Sequence, residues 1–154
     1  MTTITLNRHE MRTAAMGGIE RRLSAIAKNR PAFYNADTRQ NEWQIDIIGA
    51  IGEYAVAKYL NVYWEPATII DKLDDLPGDV AHYQVRSTCH RNGHLIIHQA
   101  DRPQAPFILA VIDNNKIEIP GWIYGHEAQH LGELRDHGDR WVHQNKLHPM
   151  DRLP

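Results

Sequence analysis

Three side chains suited to binding phosphate or a hard cation fall in one short stretch: the carboxylate of Asp79, the amide of Gln84 and the guanidinium of Arg86. They lie in Gly78-Asp-Val-Ala-His-Tyr-Gln-Val-Arg-Ser-Thr88, which reads as two short adjoining strand pieces. Side chains two apart in a strand share a face, so Gln84 and Arg86 point one way while Val85 points into the core. Upstream, the run from Gly49 to Leu60 reads as a helix whose acidic residue, Glu53, lies among apolar and small neighbours. A carboxylate buried there is costly unless something positive, such as a metal ion or a proton, meets it.

A helical Glu53, a following Asp79 and the strand Gln84-Val85-Arg86 together resemble the PD-(D/E)XK nuclease superfamily, over residues 43–125. The segment from Phe107 to Leu134, with Gly121-Trp-Ile before a helix, is similar to small phage-borne members. The resemblance implies a restriction-endonuclease-like core of α/β (α+β) class, with a mixed central sheet flanked by helices. It also implies cleavage of DNA with Mg2+ or Mn2+. Asp79 would be the central metal ligand, Glu53 would help directly or through water, and the Gln84 side-chain oxygen with the Val85 carbonyl would complete the shell. Glu53, Asp79, Gln84 and Arg86 would then be the catalytic set. A double-strand cut by so small a unit would favour a homodimer, by analogy alone.

Gln84 and Arg86 stand where the superfamily pattern has Glu and Lys. Gln offers one neutral carbonyl oxygen, which holds a hard cation less strongly than a carboxylate. Arg keeps the positive charge but cannot act as a general base, which leaves it the stabilisation of transition-state charge. A second reading follows from these departures: a decayed site whose domain binds nucleic acid or another protein. Plainer roles also exist for each residue, with Asp79 a turn residue after Pro77-Gly78, Gln84 and Arg86 an exposed strand face, and Glu53 half buried beside Lys58.

His126-Glu-Ala-Gln-His130 matches the zinc-protease pattern in which two imidazoles one helical turn apart bind Zn2+ and Glu127 acts as base. The longer form of that pattern fails, because Glu133 and Asp136 occupy the positions of its glycine and third histidine. Gly132 and Gly138 also make the helix short, so surface histidines on a solvated helix are the simpler expectation. His94 and His98 share a strand face and would approach Gln84 and Arg86 in a suitable register. Cys89 is the single cysteine, which excludes an intramolecular disulfide and fits a reducing compartment; beside His90 it has weak support as a nucleophile. No P-loop, dinucleotide fingerprint or Ser elbow is present.

A chain of 154 residues with 42% apolar content and net charge -2 is expected to form one domain, without a general polyanion-binding surface. Residues 1–40 read as an N-terminal helix and loop, 41–134 as the core, and 135–154 as a wrapping tail anchored by Trp141, Leu147 and Leu153. Arg8, Arg12, Arg21, Arg22, Lys28 and Arg30 are spread around the first helix axis as a solvated face. The N-terminus lacks the features of a signal peptide and no apolar run is long enough for a membrane span, so a cytoplasmic location is expected.

Asn7 and Glu10 form a box-like cap for a helix running to about Asn29, with Met11, Ala15, Ile19, Leu23 and Ile26 at helical spacing. Gly17-Gly18 weakens it unless another backbone packs there. Residues 30–40 read as a loop. The second helix starts near Asn41, burying Trp43, Ile47, Ile48, Ile51, Ala55 and Leu60, while Gly49 and Gly52 let a sheet come close. Expected strands are Val62–Trp64 at an edge, Gln84–Thr88 at the centre, His94–His98, a buried Phe107–Ile112 and its hairpin partner Lys116–Ile119. Pro120-Gly121 is expected to end the last of these, with a helix from Gly125 to about Leu134.

Overall fold

The computed structural model describes residues 1–28, 42–66 and 78–154. Strand β1 (Thr2–Thr5) leads into helix α1 (Arg8–Ala27), and helix α2 (Glu42–Leu60) packs along it. Strands β2 (Gln84–Thr88), β3 (Leu95–Ile97), β4 (Pro106–Asp113) and β5 (Lys116–Tyr124) follow, then α3 (Gly125–Leu131), β6 (Glu133–Leu134) and β7 (Arg140–Val142). The class is mixed α+β. One sheet has the order β1-β5-β4-β2, with β4 and β2 parallel and the other pairs antiparallel; a second, smaller sheet has the order β3-β7-β6. None of the described helices is long and apolar enough to cross a membrane.

The four-stranded sheet is covered on both faces, and β4 shows why. Its apolar run is unbroken, so Ile108, Ala110 and Ile112 enter one core while Phe107, Leu109 and Val111 enter another. The first core holds α1, α2 and Val85; the second holds the small sheet, α3 and Ile123. Gly52 is the point of closest approach between α2 and β2. A Cβ there would sit 2.0 Å from Ser87 Oγ and 3.2 Å from the Ala110 methyl.

Helix α1 begins as expected, with Asn7 accepting from the Glu10 amide and Glu10 accepting from the Asn7 amide. Its buried face, however, is Ala14, Gly17, Gly18 and Arg22, while Met16, Leu23 and Ile26 are exposed. The cause is the Gly-Gly pair: without side chains it admits the backbone of α2, so the helices meet there instead of along the larger apolar residues. A Cβ on Gly18 would lie 2.5 Å from Ile47 Cα and 2.7 Å from the Asp46 carbonyl oxygen. Gly18→Ala should therefore destabilise by about 1–3 kcal/mol despite its better helix propensity. Urea denaturation checks this, and a stabilised variant would mean that the helices are not in backbone contact.

Several sequence expectations are corrected. The stretch Val62–Trp64 forms no strand: Tyr63 is exposed, and Trp64 turns inward against Gly17. Strand β2 is an edge of the described sheet instead of its centre. Trp43 is exposed on the first turn of α2. Strand β5 runs through Pro120-Gly121 to Tyr124 because the register with β4 shifts between Leu109 and Val111, so the irregular site absorbs a residue with no N–H to give. Helix α3 stops at Leu131, and Glu133–Leu134 pair with β7. The tail 135–154 is anchored by Val142 and Met150, both buried, more than by Trp141, and the Tyr83 hydroxyl donates to the Pro154 carbonyl. The expected loop 30–40 lies outside the described residues, as does Arg30.

Candidate functional site

Glu53 is 5% exposed, and the positive group that burial demands is a guanidinium. Arg21 of α1 grips the carboxylate with both terminal nitrogens, Nη1 to Oε1 at 3.0 Å and Nη2 to Oε2 at 2.8 Å, and Trp64 Nε1 donates to Oε2 at 3.3 Å. Lys58, the sequence neighbour one might pair with it, instead binds Glu10 and the Thr5 carbonyl. Burial pushes the Glu53 carboxyl above its usual range; Arg21 opposes that push, while the nearby Asp79 charge adds to it. Burial likewise works against the charge on Arg21, but Glu53 first, and then Asp79 and Asp46, hold its pKa above the ordinary value. Asp79 thus belongs to the electrostatic surroundings of both members of the pair.

Asp79 is placed by the edge of β2. Its Oδ2 accepts from the Val85 amide at 2.8 Å, and its own amide donates to the Tyr83 carbonyl, closing a turn in which Ala81 has φ +54°. Since β4 pairs with the other side of β2, the Val85 amide must face the edge that carries no strand among the described residues. The carbonyl of a strand residue points to the same side as its N–H. The Val85 oxygen therefore faces the Asp79 side, as a ligand role for that carbonyl requires.

Gln84 and Arg86 leave β2 on the other face. Val85 packs in the core with α2, and Ser87 lies against Gly52, so strand alternation sends Gln84 and Arg86 away from the helix that carries Glu53. Arg86 Nη2 binds both oxygens of Asp101, at 2.9 and 3.0 Å, and its guanidinium lies 5.1 Å from the Phe107 ring centroid. Among the described residues, Arg21, which sequence reasoning placed in a solvated face, is a cation that feels the Asp79 charge. Arg22 departs further from that expectation: it is 3% exposed and pairs with Glu42 and Asp46. Helical spacing held a signal for Arg21, since it follows Gly17 by one turn and lies on the flank of the face that the glycines bring against α2.

The expected approach of the His94 and His98 rings to Gln84 and Arg86 through paired strands is not found. Strand β3 belongs to the small sheet, so neither histidine faces β2 across a shared ladder. The His98 amide donates to Asp101 Oδ2, which links it to Arg86 through one carboxylate, while its ring contacts Asp139 at 3.0 Å. In the zinc-protease match, Glu127 closes the start of α3 through the Tyr124 amide and also contacts His148 at 2.9 Å. His126 faces the Pro103 carbonyl at 3.1 Å. That helix has seven residues and its acidic residue caps it, so the letters serve a helix start. Among the described residues, no group of three or more His, Cys, Asp or Glu side chains is arranged, as it stands, to hold a metal ion.

Beside the start of β4, an open groove of about 250 Å3 is lined by His82, Arg102, Gln104, Ala105 and Pro106. Gln84 pairs in register with Phe107, so the groove adjoins the first residue of β2. No family model matches the chain, and neither a curated protein nor a solved structure is significantly similar to it.

Proposed function

We propose that the chain is a metal-dependent phosphodiesterase acting on DNA, of PD-(D/E)XK type. What supports this reading is that Glu53, on a helix, and Asp79, in the turn before β2, act on each other electrostatically, with the Arg21 guanidinium bound to Glu53. The donor types fit Mg2+ or Mn2+: the Asp79 carboxylate and the Val85 carbonyl are hard oxygen donors on one side of one strand. Glu53 fits as a ligand once Arg21 releases an oxygen, or through water while the pair stays closed.

When bound, the ion would lower the pKa of water and offset phosphate charge. The protein's own groups do the rest. Asp79 is held in position by the Val85 amide, so its second oxygen keeps a fixed direction. Arg21, bound to Glu53 and influenced by Asp79, would take up charge developing on the phosphate, a role that the resemblance gave to Arg86. The groove lined by His82 and Gln104, at the start of β4, offers hydrogen-bond donors to a nucleic-acid backbone.

A second reading, a domain that binds nucleic acid or protein without cutting, is favoured by one feature: Glu53 is matched by Arg21 and Arg86 by Asp101, so these two pairs are neutral with no ion added. Incubation of tag-free protein with plasmid, single-stranded and branched DNA and either metal separates the two readings. Cleavage abolished by a chelator supports the first; DNA binding without cleavage on every substrate supports the second. Gln84→Glu should tighten Mg2+ binding by about 10-fold if that side chain reaches the ion, by adding a negative donor. An unchanged metal titration would remove Gln84 from the ligand set.

A further inference from the structure

On the outer face of the small sheet, three donor atoms form an unusual chain. The register pairs Leu95 with Val142, both buried, so the next residues out, His94 and His143, stand opposite each other on the solvent side. Their Nε2 atoms are 3.3 Å apart, and His143 Nε2 also lies 3.2 Å from Glu133 Oε1. One proton on the His143 nitrogen can serve its carboxylate neighbour or its imidazole neighbour well, but not both. With no proton there, a ring lone pair faces the carboxylate. A dication in place of the proton satisfies all three lone pairs at once.

We propose that His94, His143 and Glu133 bind a first-row transition-metal dication of the Zn2+ class. The spacing is right for it: two ligands about 2.0–2.1 Å from a tetrahedral ion stand about 3.3 Å from each other. Two edges of such a shell, His94–His143 and His143–Glu133, are already formed and share the His143 nitrogen. The third edge closes by rotation of the Glu133 side chain, which is about half exposed (48%). Two imidazoles and one carboxylate suit Zn2+ or its neighbours and are a poor match to Mg2+.

The surroundings hold these ligands in place. Glu133 Oε2 accepts from Arg135 at 3.0 Å, which leaves Oε1 turned to His143. Trp141 supports both sides, with the Arg135 guanidinium 5.1 Å and the His94 ring 5.5 Å from its ring centroids. Arg135 opposes a cation electrostatically, so the site is expected to bind less tightly than one with a second carboxylate in that place. A metal here would clip β3, β7 and β6 together, and the site is independent of the acids beside β2.

The test is Co2+ and Zn2+ titration of the tag-free full chain. Co2+ should give the visible absorption of a four-coordinate nitrogen and oxygen site, and one equivalent of Zn2+ should abolish it. His94→Ala and His143→Ala should each weaken Zn2+ at least about 100-fold and Glu133→Gln about 10-fold, while His126→Ala/His130→Ala leaves the affinity unchanged. In the unmodified protein, Zn2+ should shift the imidazole nitrogen resonances of His94 and His143, a readout that does not depend on any variant folding. Zn2+ affinity unchanged in His94→Ala and His143→Ala, or ring nitrogens unmoved at saturating Zn2+, would overturn the proposal.

Discussion

Glu53→Ala is expected to cost the fold about 3–5 kcal/mol, a large share of the stability of a domain this size. The reason lies less in the pair's own worth than in what the substitution leaves behind. Arg21 would keep its charge in a site closed by α1, α2 and Trp64, facing the space where a carboxylate had taken two of its hydrogen bonds. Arg21→Ala should be nearly as costly, because it strands a carboxylate that Asp79 already disfavours. The double variant Arg21→Met/Glu53→Leu removes both charges and fills the space, and should recover most of the loss. Urea denaturation of the four proteins gives the coupling as a double-mutant cycle. A Glu53→Ala variant within about 1 kcal/mol of the parent would show that the pair is not sealed from water.

The particular residues show how far the sequence could be read. The unbroken apolar run of β4 and the Asn7–Glu10 box are local patterns, and both elements formed where those patterns put them. Gly52 and Gly18 announced close approaches, and each glycine meets a neighbouring element. What was hidden depends on pairing between distant segments. The N-terminal strand β1 is four residues long and exists because it pairs with Lys116–Ile119 of β5, more than 110 positions away, while the run of β5 past Pro120 depends on the register shift opposite Ala110. At the site, sequence spacing brought out Glu53 and Asp79 but not the counter-ion of Glu53, since Arg21 is 32 positions away and reaches it only when the helices pack at Gly18. Arg86 failed as a predicted neighbour of Glu53 for a reason of parity: it is on the face of β2 opposite α2, where Asp101 meets it.

Asp79 is where stability and activity should come apart. Asp79→Asn keeps an oxygen that can accept from the Val85 amide, so the turn before β2 should survive with a change of no more than about 1 kcal/mol. What it removes is the charge of a carboxylate that is held by a backbone amide and not by a guanidinium among the described residues. Loss of several kcal/mol of cation binding and transition-state stabilisation corresponds to a fall in DNA cleavage of at least about 10^3-fold. Asp79→Ala should match it in activity while also freeing the Val85 amide, which makes the amide variant the cleaner measurement. The two functional readings now predict opposite signs for one experiment. A domain that only binds nucleic acid has no use for a negative charge at that edge, so Asp79→Asn should leave DNA affinity unchanged or raise it, with no cleavage in either protein. In a metal-dependent enzyme the same substitution abolishes cleavage, whereas cleavage that persists in Asp79→Asn would detach the reaction from this edge of β2 altogether.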